Sequence, residues 1–277
     1  MTENAAGAAN WGKASRQWSL VGSPLRPDAS DVAFAEAAIA ERFRATGRPP
    51  RAVLLGVTPE LAACRWPAGT RLTAVDNSRA MIDALWPAPG VPDGAQVLCA
   101  DWRAMPIADG SIDVVVGDGC YTAAAYRDGP TISREVRRIL HPDGVFAIRV
   151  FAAPDRRESL EELGHAVAAG RVGNVHALKW RLAAVVQPTV EAGARLGDIW
   201  EAFQALRPAI DAVAGSAGWT AAELGTLDRY RDNDLRFYFA TADEFRAVTR
   251  PWLAEVACTH GTYPLAERCT RHLFRPA

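Results

Sequence analysis

The sequence lacks several features that point to particular classes of protein. No run of about 18 apolar residues occurs, so no membrane-spanning helix and no membrane partner are expected. The N-terminal stretch MTENAAGAANWGKASRQWS has no apolar centre like that of a secretory signal peptide. Lys and Arg total 31 against 32 Asp and Glu, without a basic run. We therefore expect no nucleic-acid partner, because phosphate binding needs clustered cations.

Cysteine and histidine are scattered rather than grouped. The five cysteines stand singly, form no Cys-x-x-Cys pair and are odd in number, which argues against a disulfide framework. The five histidines are dispersed as well, so no metal site is predicted. Together these absences favour a reduced protein with a cytoplasmic location.

From residue 51 onward, short apolar runs alternate with segments of helical character. The runs RAVLLGV, RLTAVD, AQVLCA, IDVVVGDG and VFAIRVF predict buried strands, with a turn at HPDG before the last one. Thr58 and Pro59 predict the N-cap and first position of a short helix, and TISREVRRIL has one apolar helical face. This alternation predicts an α/β fold with a doubly wound, mostly parallel sheet that binds its ligand at the carboxyl ends of the strands.

The alternation stops in the middle of the chain. VHALKWRLAAVV and IWEAFQALRPAIDAV predict two helices with no strand between them, and so a helical insertion. VACTHGTY and RCTRHLF, close together near the C-terminus, predict an antiparallel pair of strands. The predicted organisation is an N-terminal lid or helical segment (1–50), a cofactor-binding α/β core (51–152), a helical insertion that forms the acceptor region (153–235) and a C-terminal completion of the sheet (236–277).

Several segments, in order and at the expected spacing, resemble the motifs of the class I S-adenosylmethionine-dependent methyltransferases. They are LLGVTPEL, LTAVDNSRAMI, VLCADWRAMP, GSIDVVVGDG and RRILHPDGVFAIRVF. The first departs from the family's Gly-x-Gly-x-Gly pattern after Gly56. The resemblance implies a Rossmann-like fold with a seven-stranded sheet and S-adenosyl-L-methionine as cofactor. We expect in-line methyl transfer to a small-molecule acceptor, with catalysis mostly by proximity and alignment.

The resemblance also implies which residues hold the ribose and the methionine part of the cofactor. Gly56 would allow close approach of the cofactor to the first strand, with Thr58 in the following loop. Asp76, followed by Asn77, ends the second strand, where a carboxylate can accept both ribose hydroxyls. A turn residue at Gly56 and a helix cap at Asp76 are the alternative interpretations.

Further residues are implied near the adenine and the transferred methyl group. Met81 and Trp102 would cover the faces of the adenine, although either could be a core residue, and Asp101 would accept the adenine amino group. Asp118 and Gly119 end the fourth strand, which faces the reacting methyl group in the family. Asp118 and Tyr121 are weak catalytic candidates, and no general base is assigned.

Two segments outside these motifs have unusual compositions. Trp11 and Trp18 flank basic residues near the N-terminus, where a segment of the family often covers the cofactor; simple docking on the core is the alternative. The segment LDRYRDNDLRF contains Arg229, Arg231 and Arg236, with Tyr230 among them. This cluster could bind an anionic acceptor, or it could be a solvated loop.

Two other functions remain open at this point. An NAD(P)-dependent oxidoreductase also places an acidic residue after its second strand, but a pyrophosphate needs several close backbone N–H groups and hence several glycines. GVTPELAA has only one glycine, and the side chains of Thr58 and Glu60 would crowd the phosphates. A non-catalytic binding protein with the methyltransferase fold is the second alternative.

Overall fold

A seven-stranded sheet forms the centre of the structure, a computed structural model that describes residues 18–277. Its strands are β1 (Arg51–Leu55), β2 (Arg71–Asp76), β3 (Gln96–Cys99), β4 (Ile112–Asp118), β5 (Leu140–Arg149), β8 (Leu253–Thr259) and β9 (Arg271–Pro276). They follow the order β3-β2-β1-β4-β5-β9-β8. Neighbours from β3 to β5 are parallel, whereas β9 is antiparallel to both β5 and β8. The α/β fold class, with a doubly wound, mostly parallel sheet, is therefore confirmed, as is the antiparallel pairing of the last two strands.

Helices cover both faces of the sheet, and further helices follow β5 in the middle of the sequence. They are α1 (Ala29–Thr46), α2 (Pro59–Ala62), α3 (Arg79–Leu85), α4 (Cys120–Ala123), α5 (Gly129–Ile139), α6 (Leu160–Ala168), α7 (Val175–Val186), α8 (Leu196–Ala205), α9 (Arg207–Val213), α10 (Ala221–Gly225) and α11 (Ala242–Thr249). Short 3-10 turns occur at Trp18–Leu20, Tyr126–Asp128, Asp228–Tyr230 and Ala266–Arg268.

The apolar run of β1 is continuous because both of its faces are buried. Leu54 packs into the cluster that contains Ile39 of α1, whereas Leu55 packs on the opposite face with Val136 of α5. Successive side chains of a strand point to opposite faces, so a central parallel strand needs apolar residues at every position. The sequence pattern of β1 thus follows from its place in the middle of the sheet.

Residues between β5 and β9 build a second core around α7 and α8, with Trp180 and Phe203 fully buried. The prediction that no strand separates the two helices of this region is wrong. Strand β6 (Ala194–Arg195) lies between α7 and α8 and pairs antiparallel with β7 (Arg236–Phe237). A two-residue strand has no alternating pattern of its own, which is why the periodicity did not reveal it.

The predicted turn at HPDG also differs from the structure. These residues belong to β5, but the pairing with β4 jumps from Ile112–Leu140 to Val114–Val145. The four residues form a bulge within the strand, in which a Cβ on Gly144 would lie 2.9 Å from the carbonyl oxygen of His141. Among the described residues, no helix has both the length and the apolar character needed to cross a membrane.

Candidate functional site

A cavity of about 410 Å³ lies beyond the carboxyl ends of β1, β2, β3 and β4. This is where an open parallel sheet binds its ligands. All nine residues predicted to hold the cofactor line it: Gly56, Thr58, Asp76, Asn77, Met81, Asp101, Trp102, Asp118 and Gly119. Residues that the motifs did not indicate complete the wall, among them Val21, Leu25, Ser78, Arg103, Thr122, Asp128, Phe151, Phe237 and Phe239.

The loop after β1 has a backbone conformation that requires its single glycine. Gly56 has a φ of +92°, and its N–H donates to the carbonyl of Val75 over 2.7 Å. A Cβ at this position would point between the carboxylate of Asp76, 3.8 Å away, and the ring of Trp102, 3.9 Å away. The glycine therefore keeps open a space between these two side chains. Helix α2 begins directly at Pro59, with Thr58 as its N-cap residue.

Asp76 is oriented by the backbone that follows it. Its Oδ1 accepts from the N–H of Ser78 over 2.8 Å. Ser78, and not Asp76, is the N-cap of α3, since its hydroxyl accepts from the N–H of Met81. The alternative interpretation of Asp76 as the cap of this helix is therefore wrong.

Asp101 and Trp102 are fixed by neighbours that the sequence motifs did not indicate. The guanidinium of Arg103 binds Asp101, with Nε 2.9 Å from Oδ1, and also reaches Asp128 over 3.1 Å. The hydrogen bond from Arg103 lowers the pKa of Asp101, which is ionised at neutral pH. The indole N–H of Trp102 donates to the carbonyl of Val75 over 2.6 Å, so its ring lies across the ends of the strands.

Asp118 is held by a buried arginine. Arg149 Nε lies 2.5 Å from Oδ1 of Asp118, and Nη2 lies 3.0 Å from Oδ2. Arg149 also contacts Asp31 over 3.2 Å and donates to the carbonyl of Pro24 over 2.8 Å and the hydroxyl of Tyr263 over 3.1 Å. Burial opposes the charge of Arg149, but the attraction of Asp118 outweighs it and raises the pKa of the guanidinium. Both oxygens of Asp118 are thus engaged, which is poor geometry for a general base.

Tyr121, the other catalytic candidate, does not line the cavity. Its hydroxyl lies 2.9 Å from that of Ser133, and its ring packs edge-on against Phe245. Burial raises the pKa of Tyr121, so the phenol stays protonated at neutral pH. Gly119, two residues earlier, has a φ of +64°, and a Cβ there would come within 2.8 Å of the ring of Phe151.

Part of the N-terminal region forms a wall of the cavity. Trp18, Val21 and Leu25 line it, and Arg26 stacks over the Trp18 ring at 5.2 Å. Arg26 Nε also donates to Oε1 of Glu60 over 2.6 Å, which ties this segment to α2. Trp11, the other tryptophan noted in the sequence, lies outside the described residues.

The arginine cluster of LDRYRDNDLRF is divided by the fold. Arg229 and Tyr230 line the cavity. Arg231 instead stacks on the ring of Trp200 at 4.6 Å, and Arg236 donates to the carbonyl of Ala192 over 3.0 Å. Only one of the three arginines therefore reaches the cavity.

Two groups of titratable side chains lie apart from the cavity. In the insertion, Lys179 donates to the hydroxyl of Thr226, and burial lowers the pKa of Lys179 to about 7. At the edge of the sheet, Glu255, Cys258 and His272 each place one ligand-type atom within 4.8 Å of the others. Glu255 already binds His272 Nδ1 over 3.0 Å and pairs with Arg246.

Comparisons with known proteins agree with this architecture. Residues 55–148 match the family described as a methyltransferase domain. No curated protein matches the chain.

Solved structures with this fold have low sequence identity to the chain. A proposed zinc-dependent alcohol dehydrogenase from Rhodobacter sphaeroides has 16% identity and a TM-score of 0.62, covering 99% of this chain and 100% of that one. The Burkholderia thailandensis 1,6-didemethyltoxoflavin N1-methyltransferase, solved with that compound and S-adenosylhomocysteine, has 14% identity and a TM-score of 0.51, covering 99% and 88%. The PH0226 protein from Pyrococcus horikoshii has 13% identity and a TM-score of 0.51, covering 94% and 99%. At these identities the likeness shows the fold.

Proposed function

We propose that this enzyme, a class I S-adenosylmethionine-dependent methyltransferase by its domain at residues 55–148, methylates a small-molecule acceptor by in-line transfer. The observation that carries the proposal is a single continuous cavity. The predicted cofactor residues at the carboxyl ends of the strands line it, and so do the aromatic side chains of Phe151, Tyr230, Phe237 and Phe239. A pocket of this kind encloses a small ligand beside the cofactor.

The side chains at the strand ends fit the chemistry of S-adenosylmethionine. Asp76 offers carboxylate oxygens for the two ribose hydroxyls, and the space beside Gly56 leaves room for the ribose and the sulfur. Met81 and Trp102 supply apolar surfaces for the adenine, and Asp101 supplies an acceptor for its amino group. Four carboxylates line the cavity, of which Asp101 and Asp128 pair with Arg103 and Asp118 pairs with Arg149.

Such a reaction needs little general acid–base catalysis from the protein. When bound, the sulfonium supplies an activated methyl group and a neutral leaving group. No histidine lines the cavity within residues 18–277, and Asp118 is engaged by Arg149. The main contribution of the protein is then to align the acceptor with the methyl group in an enclosed space. Such alignment can lower the activation barrier of the transfer substantially.

Calorimetry with two adenine-containing ligands tests the function. We expect the purified protein to bind S-adenosylhomocysteine and not NADH, because the loop after β1 has a single glycine, and the side chains of Thr58 and Glu60 would keep a pyrophosphate away from its backbone N–H groups. Binding of NADH without binding of S-adenosylhomocysteine would overturn the proposal in favour of an oxidoreductase.

A pair of matched variants tests the ribose assignment. We expect Asp76→Ala to weaken S-adenosylhomocysteine binding by about tenfold or more, since buried hydrogen bonds to a charged acceptor are lost. Asp83→Ala is the control, because this exposed carboxylate of α3 pairs with Arg79 on the same helix and does not line the cavity. Equal affinity of the two variants would contradict the role of Asp76.

A further inference from the structure

Residues 18–25, called the wall segment below, border the cavity but have little regular structure of their own. Three side chains of the segment line the cavity: Trp18, Val21 and Leu25. The first three residues form a 3-10 turn, and turns and loop follow up to the start of α1. Within the described part of the chain, the backbone–backbone hydrogen bonds of the segment stay within residues 18–26. Side chains must therefore fix its position relative to the rest of the protein.

The wall segment packs between two hydrophobic cores. Trp18 packs against the cluster that contains Ile39 of α1, on one face of the sheet. Leu25 packs against the cluster of the insertion, which contains Trp180 of α7. The segment therefore lies where the sheet and the insertion meet, and neither core alone sets its position.

Two side chains from distant parts of the chain hold consecutive carbonyl groups of the wall segment. Asn174 Nδ2 donates to the carbonyl of Ser23 over 2.9 Å, and Arg149 Nη1 donates to the carbonyl of Pro24 over 2.8 Å. Arg149 is the last residue of β5, whereas Asn174 directly precedes α7. One hydrogen bond therefore ties the wall segment to the sheet, and the other ties it to the insertion.

The start of α7 fits against the wall segment. Asn174 is the N-cap of α7, and its Oδ1 accepts from the N–H of Ala177 over 2.7 Å. Its amide makes both hydrogen bonds at once, because it carries an acceptor oxygen and a donor nitrogen. Two residues later, the buried ring of His176 packs on Gly22, where a Cβ would lie 3.2 Å from Cδ2 and Nε2 of the ring. The first turn of α7 thus supports the segment by a hydrogen bond and by direct packing.

We propose that Asn174 is a positioning residue of the enzyme, whose amide holds the wall segment in place and so strengthens the binding of the cofactor. This inference rests on the proposed methyltransferase function. Asn174 does not itself line the cavity, so it acts through Ser23 and the neighbouring lining residues Val21 and Leu25. When the wall segment is in place for only a fraction of the time, the apparent dissociation constant of a ligand that needs it rises by the inverse of that fraction.

A substitution that removes the donor and keeps the helix cap tests this inference. Aspartate has nearly the shape of asparagine and caps a helix equally well, but it has no N–H for the carbonyl of Ser23. We expect calorimetry to show that Asn174→Asp binds S-adenosylhomocysteine about fivefold more weakly than the wild-type protein, because this hydrogen bond is lost. Asn174→Ser also keeps a cap and loses the amide. It should weaken binding as well, which would show that the added charge of aspartate is not the cause.

Hydrogen exchange of the ligand-free protein separates positioning from a role in the helix alone. In Asn174→Asp, we expect faster amide exchange at residues 18–25 and unchanged exchange at residues 175–186 of α7, because the wall segment loosens and the cap remains. Ser159→Asp is the matched control. Ser159 caps α6 by accepting from the N–H of Glu162 and does not line the cavity, so this variant should bind S-adenosylhomocysteine like the wild-type protein.

The outcomes distinguish this inference from the proposed function. Unchanged affinity for S-adenosylhomocysteine in both Asn174 variants would overturn the positioning role and leave the methyltransferase assignment intact. Faster exchange throughout α7 in Asn174→Asp would also overturn it, because the substitution would then act through the helix. Failure of the wild-type protein to bind S-adenosylhomocysteine would instead overturn the proposed function.

Discussion

Asp113 and Asp118 lie at opposite ends of β4, and each carboxylate receives two hydrogen bonds from one arginine. Arg48 binds Asp113 over 2.8 and 2.9 Å, and its side chain is 52% exposed. Arg149 binds Asp118 over 2.5 and 3.0 Å, and its side chain is 3% exposed. The two pairs are alike in geometry. Arg48 can be hydrated if its carboxylate partner is lost, whereas Arg149 would stay buried.

This difference predicts unequal effects on stability. Asp118→Asn leaves Arg149 buried with Asp31 as its remaining anion, so we expect a loss of about 3 kcal/mol in the free energy of unfolding. Asp113→Asn should cost less, about 1 to 2 kcal/mol, because Arg48 can be rehydrated, although the largely buried Arg42 also loses an ion pair at 3.5 Å. Urea unfolding of both variants measures the difference. Equal losses of unfolding free energy in the two variants would show that burial of the arginine does not determine the cost of the substitution.

At the scale of secondary-structure elements, helix α7 carries a lysine whose amine is buried. Lys179 is 2% exposed and donates its hydrogen bond to Thr226 of the segment after α10. Burial lowers its pKa from 10.5 to about 7. The charged form is disfavoured in the folded state, because the dry surroundings solvate an ammonium poorly. The insertion therefore contains a group whose protonation opposes folding.

The pH dependence of stability follows from this amine. Between about pH 7 and 10.5 the unfolded chain holds a proton that the folded chain has released, so stability rises with pH across this window. The penalty of the buried amine is fully present below pH 7. By linkage, the shift of the Lys179 pKa from 10.5 to about 7 corresponds to a gain in stability of about 5 kcal/mol across this window.

Two variants in α7 isolate this contribution in urea unfolding at several pH values. Lys179→Met should flatten the rise in stability above pH 7, because the titrating group is gone. His176→Gln should keep the rise, since burial lowers the pKa of His176 to about 4, below this window. An unchanged rise in Lys179→Met would show that the amine is not its source.

At the scale of the whole molecule, the cavity is assembled from stretches that are far apart in the chain. The segment around Trp18 and Leu25, the strand ends, and the segment from Arg229 to Phe239 all line it. Contacts between the first segment and the core include Arg26 with Glu60 and Arg149 with the carbonyl of Pro24. A ligand that fills the cavity should therefore stabilise all three stretches together.

Hydrogen exchange tests whether a ligand stabilises these stretches together. S-adenosylhomocysteine should slow amide exchange at residues 18–25 and at the strand ends around residues 56, 76 and 118, because the ligand bridges them. Residues 156–171, in a separate surface groove, serve as the reference. Protection confined to the strand ends would contradict the single continuous cavity.

The sequence determined the sheet and the residues that line the cavity at the strand ends. Strands β1, β2 and β4 are mostly apolar runs inside the sheet, and a small or acidic residue that lines the cavity stands at or just after the end of each strand from β1 to β4. These are local patterns, so Gly56, Asp76 and Asp101 could be identified within a few residues of a strand end. The same reasoning predicted the antiparallel end of the sheet.

Only the tertiary structure decided what surrounds that core. The pairing of Arg149 with Asp118, the position of Tyr121 away from the cavity and the separation of Arg229 from Arg231 all depend on contacts between distant parts of the chain. Strand β6 was missed for the same reason, because two residues become a strand only through their partner in β7. Local patterns record which face of an element is buried, whereas long-range packing determines which side chains meet there.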